Sequence, residues 1–296
     1  MKTVVIDAKT IAAQIKDEIA NEVRLNTEKG MRPPHLAAIL VGEDPASKTY
    51  VASKEKDSHS VGFTSSVYRY PETMSEKELL GVVDFLNNDP DVDGFIVQLP
   101  LPKHINENNV INAINPDKDV DGFHPVNVGK MVLGMPTFLP ATPYGIQTLL
   151  ERTGIETSGK HCVVIGRSNI VGTPMANMLS RNASNANCTV TLCHSRTQNL
   201  KELTLQADIL VVAIGKRHFV TEDMVKEGAV VVDVGIHRVD DPSNPKGYYI
   251  TGDVDFEHVA PKCSYITPVP GGVGIMTRVS LLMNTMTAYR RNIEKA

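Results

Sequence analysis

Tyr50 and Lys54 stand four residues apart in the stretch Pro45 to His59, which has no helix breaker after its opening proline. On a helix that spacing sets both side chains on one face about one turn apart, so a ring and an amine can act on one ligand. A lysine whose pKa is lowered by burial can move protons near neutral pH. Taken alone, such a pair is more often a packed ring beside a solvated cation. Two later segments follow apolar strands in an unusual way. Gly94 to Pro102 (GFIVQLPLP) presents the Gln98 amide at a strand end, and Pro116 to Phe123 (PDKDVDGF) offers carboxylates. The plainer readings are a proline-terminated strand and a charged surface loop.

A second chemistry begins at His161. Five strand-forming residues lead into Gly166-Arg167-Ser168-Asn169-Ile170-Val171-Gly172, the strand, tight turn and helix start that cradles a pyrophosphate on backbone N–H groups. Ser168 replaces the second glycine of the usual dinucleotide fingerprint and Gly172 falls one place late, so the pattern alone also fits a βα turn without a ligand. The next strand ends at Cys193-His194-Ser195-Arg196-Thr197, with no acid for ribose hydroxyls. Ser195 can donate to a 2′-phosphate and Arg167 or Arg196 can pair with it, which favours NADP over NAD; either arginine can equally be a solvated surface residue. Gly215 and the Gly235-Ile236 turn end two further strands and are candidate nicotinamide-side contacts, or merely glycines that end strands.

These residues need elements to hold them. Ile11, Ile15, Ile19 and Val23 recur every four residues in a helix over 9–29, and His35 to Gly42 is a short apolar run that reads as a buried strand. The helix from Pro45 follows, then a strand at Ser66 to Tyr70, a helix from Ser75 to Asn87 and a strand through Phe95, Ile96 and Val97. After the proline-rich stretch Met135 to Pro143 the alternation restarts, with strands at 161–166, 189–193, 208–214 and 229–234 and a helix from Gly172. Strands alternating with helices imply parallel sheets covered on both faces, hence two α/β domains. The last helix, about Ile275 to Lys295, is expected to return to the first domain through Val279, Leu282 and Met283. No internal repeat is visible.

Composition narrows the classes. A chain of 296 residues, 42% hydrophobic, exceeds what one core usually organises. The net charge of −4, with basic residues dispersed, lacks the footprint of a nucleic-acid binder. Four cysteines without a C-x-x-C pair argue against a disulfide framework, and Cys188, Cys193 and His194 match no common zinc spacing, so no metal is expected. With Asp7 and Lys9 near the start and no long apolar run, neither a secretory leader nor a membrane span is expected.

Taken together, Val41-Gly42 through Tyr50 and Lys54, QLPLP from Gln98, PDKDVDG from Pro116, GRSNIVGTP from Gly166, CHSRT from Cys193 and PVPGGVG from Pro268 resemble the methylenetetrahydrofolate dehydrogenase/cyclohydrolase family, in order and over nearly the whole chain. The resemblance implies a folate-binding catalytic domain over 1–145, completed by the C-terminal helix 273–296, and a Rossmann-like NADP-binding domain over 146–272, with an active-site cleft between them. It implies Lys54 as the cyclohydrolase residue, Gln98 holding its amine, Tyr50 stacking on the aminobenzoate ring and Asp121 binding the pterin. Pro100, Pro268, Gly271 and Gly272 would line the folate site, and Gly166, Arg167, Ser168, Ser195, Arg196, Gly215 and Ile236 the cofactor site. The implied activity oxidises methylenetetrahydrofolate with NADP and hydrolyses the methenyl product to 10-formyltetrahydrofolate, in a cytoplasmic homodimer serving one-carbon metabolism and purine biosynthesis. A dehydrogenase without the second activity, a silent nucleotide-binding scaffold, and a two-domain dehydrogenase acting on shikimate or an amino acid are the alternatives. The presence of Lys54 and Gln98 ranks the first below the bifunctional reading, intact Tyr50, Lys54, Gln98 and Asp121 argue against the second, and the Tyr50, Gln98 and Asp121 motifs against the third.

Overall fold

A computed structural model describes residues 2–294. In chain order the elements are β1 (Val4–Val5), α1 (Ala8–Glu28), β2 (His35–Val41), α2 (Pro45–Ser60), β3 (Thr64–Tyr70), α3 (Glu76–Asn88), β4 (Gly94–Val97), α4 (Glu107–Ala113), α5 (Pro125–Val132) and α6 (Ala141–Thr153). They continue with β5 (His161–Ile165), α7 (Gly172–Ser180), β6 (Thr189–Cys193), α8 (Leu200–Thr204), β7 (Ile209–Val212), β8 (Val230–Asp233), β9 (His237–Asp240), β10 (Tyr248–Thr251), α9 (Phe256–Val259), β11 (Tyr265–Ile266) and α10 (Val273–Ile293). The chain divides into two α/β units: Ala13–Ala141 with the residues from Arg278 onward, and Thr142–Thr277 with the N-terminal residues through Ala12.

That division falls elsewhere than the expected boundaries of 1–145, 146–272 and 273–296. Val4 and Val5 pair in parallel with Tyr265 and Ile266, so the N-terminal segment joins the second sheet. Helix α10 contributes to both units, and the Lys295 at which the last helix was expected to end lies outside the described residues.

In the first unit three parallel strands run in the order β3-β2-β4. Successive side chains of a strand point to opposite faces. Ala37, Ile39 and Val41 accordingly pack with Leu79, Val83 and Leu86 of α3, while Leu36, Ala38 and Leu40 pack with Leu281 and Ala288 of α10. Both faces are covered, which is why β2 is apolar from Leu36 to Val41. A capping box between Ser75 and Glu78 starts α3.

The second unit holds six parallel strands in the order β1-β11-β8-β7-β5-β6. It is a Rossmann-like sheet, with β9 and β10 forming a separate antiparallel hairpin.

The two units share a device. His35 opens β2, donates its backbone N–H to Asp93 just before β4, and sets its Nε2 2.9 Å from Ser66 of β3. His161 opens β5, donates its N–H to Asp208 just before β7, and sets its Nε2 2.9 Å from Thr191 of β6. In each, the first strand of a three-strand set is central and its successors flank it. This is a repeat in three dimensions where none is visible in the sequence.

Candidate active site

Helix α2 buries Ser47, Val51, Lys54, Asp57 and Ser58, a face that is mostly polar. Propensity and burial do not favour such a face; chemistry does. Asp44 caps the helix by accepting the Ser47 N–H at 2.7 Å, and Pro45 occupies the first turn. The four-residue spacing brings the Lys54 amine to 4.8 Å from the centroid of the half-buried Tyr50 ring.

Gln98 follows β4, across the point where strand order reverses between β2 and β4, the usual place for a ligand in such sheets. Its Nε2 donates to the Leu99 carbonyl at 2.6 Å, which turns Oε1 toward Lys54 Nζ at 3.4 Å. Pro100, exposed, follows a cis peptide bond.

Lys54 is only 7% exposed, and burial pushes its pKa below the ordinary lysine value while Asp121 pulls it partly back. Burial in turn raises Asp121, against the pull of Lys54. Asp57, one turn beyond Lys54, is taken by Lys16 at 2.5 Å and Arg278 at 2.9 Å. Asp121 is therefore the carboxylate that acts on the amine.

The loop carrying Asp121 is fixed from both sides. Asn284 of α10 donates to the Val120 and Leu139 carbonyls at 2.8 and 2.9 Å. Gly122 has φ +73°, and a Cβ there would sit 2.6 Å from the Leu139 carbonyl carbon. Asp119, whose role the sequence did not single out, accepts from the Phe123 and His124 N–H groups and from Asn127. Burial pushes its pKa up to about 6 against those donors. Because this folded-state value lies above the ordinary 3.8, the native chain loses stability as pH rises through the interval between them, by at most about 3 kcal/mol. Asp119→Asn is expected to flatten the dependence of Tm on pH between about 4 and 6, whatever its uniform cost; an unchanged slope in calorimetry contradicts the assignment.

In the second unit the turn after β5 is a cradle with no room for side chains. A Cβ on Gly172 would lie 1.8 Å from the Gly166 carbonyl oxygen, and one on Gly166, at φ +119°, would lie 2.1 Å from the Ala213 carbonyl oxygen. The turns after β5 and β7 thus touch backbone to backbone at the switch point of this sheet. The Ser168 hydroxyl accepts from the Val171 N–H at 3.2 Å, long enough for an anion to compete, and it keeps a proton to donate. Arg167, Ser168, Ser195 and Arg196 are exposed, and the Arg196 N–H donates to His194 Nδ1 at 3.1 Å. Gly215 is exposed at φ +71°, and Ile236 is 63% exposed. The backbone cradle, the hydroxyls and the guanidinium groups fit a phosphorylated dinucleotide.

Pro268, Gly271 and Gly272 belong to this second unit, in the turn before α10; a Cβ on Gly272 would lie 2.5 Å from the Pro268 carbonyl oxygen. All four cysteines are buried; burial raises Cys188 to about 11 and Cys263 to about 12, and pushes Cys162 and Cys193 up as well. Among the described residues no group of three His, Cys, Asp or Glu could hold a metal ion, and no helix is long and apolar enough to cross a membrane.

Known proteins align with this chain along its length. Residues 6–121 match the catalytic domain, and residues 140–293 the NAD(P)-binding domain, of tetrahydrofolate dehydrogenase/cyclohydrolase. The bifunctional protein FolD of Cytophaga hutchinsonii is 62% identical over 96% of this chain and 98% of its own. The crystal structure of the bifunctional FolD methylenetetrahydrofolate dehydrogenase/cyclohydrolase of Campylobacter jejuni superposes with TM-score 0.91 at 47% identity, covering 98% of this chain and 99% of that one. The Trypanosoma brucei N5,N10-methylenetetrahydrofolate dehydrogenase-cyclohydrolase, solved with NADP cofactor and an inhibitor, gives 0.93 at 37% identity over 99% of each chain. The chain belongs to the tetrahydrofolate dehydrogenase/cyclohydrolase family and is an enzyme with both of that family's activities.

Proposed function

We propose that the chain oxidises 5,10-methylenetetrahydrofolate with NADP and then hydrolyses the methenyl product to 10-formyltetrahydrofolate, with Lys54 as the proton-transfer group of the second step. The observation that carries this reading is Lys54 itself, a buried amine with a lowered pKa held by an oriented glutamine. When bound, NADP accepts the hydride leaving the methylene carbon. The protein's part in that step is positioning, because the cation left on the folate is shared by its two flanking nitrogens and no base is required.

Hydrolysis does need proton transfer. Water adding to the methenyl carbon must lose a proton, the hydroxyl so formed must lose its own as the formyl carbonyl forms, and the nitrogen that departs on ring opening must gain one. A neutral Lys54 can take the first proton and deliver it to the departing nitrogen, while the hydroxyl proton passes to solvent. The Gln98 oxygen accepts one amine hydrogen, which leaves the nitrogen lone pair directed elsewhere. Tyr50 offers a face for the aminobenzoate ring, and the two oxygens of Asp121 match the adjacent N–H donors of the pterin. Pro100, Pro268, Gly271 and Gly272 complete the folate contacts in this reading. Family membership supports a cytoplasmic homodimer feeding purine biosynthesis, a state that sedimentation equilibrium would check.

Gly166, Arg167, Ser168, Ser195 and Arg196 hold the cofactor phosphates, and the missing acid after β6 is the feature that favours NADP. Methylenetetrahydrofolate with either cofactor, followed by nicotinamide reduction, tests the whole assignment. NADP is expected to win in kcat/KM by roughly 10- to 100-fold, the worth of one or two charge-assisted bonds to the 2′-phosphate. Ser195→Asp is expected to erase most of that margin. Equal use of NAD by the native chain refutes the cofactor assignment, and reduction of neither refutes the oxidation itself.

A further inference from the structure

Two carboxylates lie at the carboxyl ends of β7 and β8 that neither chemical step uses. Asp253 is 0% exposed and Asp233 3% exposed. Asp233 accepts the N–H groups of Gly235 at 2.9 Å, Asp253 at 3.0 Å and Val254 at 2.9 Å. Asp253 accepts the Ile214 and Gly215 N–H groups on one oxygen, at 2.8 and 2.9 Å, and its other oxygen lies 2.7 Å from His237 Nε2. Glycines make the approach possible: a Cβ on Gly235 would sit 2.4 Å from the Asp253 nitrogen, and one on Gly252 would sit 1.9 Å from Asp233 Oδ2.

Both ends of this pair reach a turn assigned above to the nicotinamide side. The turn after β7 ends at Gly215, and Ile236 is flanked by Gly235, held by Asp233, and His237, held by Asp253. In a trans peptide the carbonyl points away from the N–H. Since Asp253 draws the Ile214 and Gly215 N–H groups inward, the carbonyls of the same two peptides, Ala213 and Ile214, face the other way. The Ala213 N–H is itself held by the Ile165 carbonyl at 2.8 Å and the Ala213 carbonyl packs on Gly166, so the Asp253 carboxylate sets the two peptides that follow.

We propose that Asp253 is a positioning residue for the nicotinamide end of the cofactor, setting the turn after β7 so that it offers carbonyl oxygens to the N–H groups of the nicotinamide carboxamide. The proposal rests on the reading of Gly215 and Ile236 as cofactor contacts. It predicts that the enzyme recognises the carboxamide by its donors, and that this recognition disappears when the carboxylate is removed.

The test uses the full chain with NADP and with its 3-acetylpyridine analogue, which replaces the carboxamide NH2 by a methyl group. The native chain is expected to have a KM at least fivefold higher for the analogue, roughly the worth of one hydrogen bond. Asp253→Ala is expected to raise KM for NADP about tenfold and to bring the two cofactors together, while cofactor-free hydrolysis of supplied methenyltetrahydrofolate stays within about twofold. Asp253→Asn is expected to stay near native, because its carbonyl oxygen can still accept both N–H groups while its amide can donate to the His237 ring nitrogen.

Native indifference to the analogue overturns the proposal without any variant, which covers the case in which Asp253→Ala fails to fold. Native cofactor selectivity in Asp253→Ala, or parallel loss of both activities with a lowered Tm and no recovery in Asp253→Asn, also overturns it. Ile236→Asp separates the two levels. If it leaves KM for NADP unchanged, the reading of these turns as cofactor contacts is wrong; if it raises KM while Asp253→Ala does not, only the role of Asp253 is wrong.

Discussion

Lys54→Met converts methylenetetrahydrofolate to a methenyl product that accumulates, because hydrolysis slows by roughly 10²- to 10⁴-fold while NADP reduction stays within about tenfold. Methionine keeps the length and apolar stem of the side chain and removes only the amine, so Tyr50 and Gln98 retain a packed neighbour. The variant is also expected to be at least as stable as the native chain. A lysine whose folded-state pKa is lowered costs stability at every pH below that value, and the cost disappears only as pH rises to the ordinary value of 10.5. The stability gain of Lys54→Met is therefore full below the lowered pKa and shrinks as pH rises from it toward 10.5. Following methenyl absorbance against nicotinamide reduction measures both activities in one cuvette. Hydrolysis at the native rate in this variant removes Lys54 from the mechanism.

Gly172→Ala has the opposite signature. Its added methyl would meet the Gly166 carbonyl oxygen at 1.8 Å and carbon at 2.5 Å, which are backbone atoms that cannot swing aside. The turn must open, at a cost of about 1–3 kcal/mol, and a displacement near 1 Å at a positioned group lowers a rate by about 10²-fold. NADP reduction is expected to fall by that factor or more, with Tm lowered, while hydrolysis of supplied methenyltetrahydrofolate persists. A variant that titrates with NADP as the native chain does would show that this turn does not hold the phosphates.

The legibility of the chain followed the range of the interactions involved. Residues 36–41 and Ile209–Val212 are apolar because both faces of a parallel strand are buried, a cause that acts residue by residue and therefore shows in the sequence. Helices α1 and α2 declared themselves by period and by breakers. The two-residue strand β1 did not, since Val4 and Val5 are themselves exposed and owe their place to pairing with Tyr265 and Ile266. Contiguity therefore groups residues 2–12 with the strands that follow them, whereas pairing groups them with β11. Tyr50 and Lys54 were weak as a spacing and gained meaning from the order of motifs around them. Asp253 was missed altogether, because its partners Ile214 and Gly215 lie nearly forty residues away and Gly252-Asp253 looks like any strand-end turn. Its one local signal was glycine placed directly before a buried acid. The short helices α4 and α5 and the β9–β10 hairpin also went unread, being too brief for a period to accumulate.

The burial of every cysteine has a practical consequence. With all four thiols enclosed and held in the protonated form, the folded chain offers no ready nucleophile to alkylating reagents and no pair to cross-link on exposure to air. A cysteine introduced at the exposed Glu72 or at Lys246 would then be the sole fast-reacting thiol in the molecule, and the double variant would carry one on each unit. The native sequence is thereby a ready background for attaching a pair of fluorophores, and the distance between them could be followed as folate and cofactor bind.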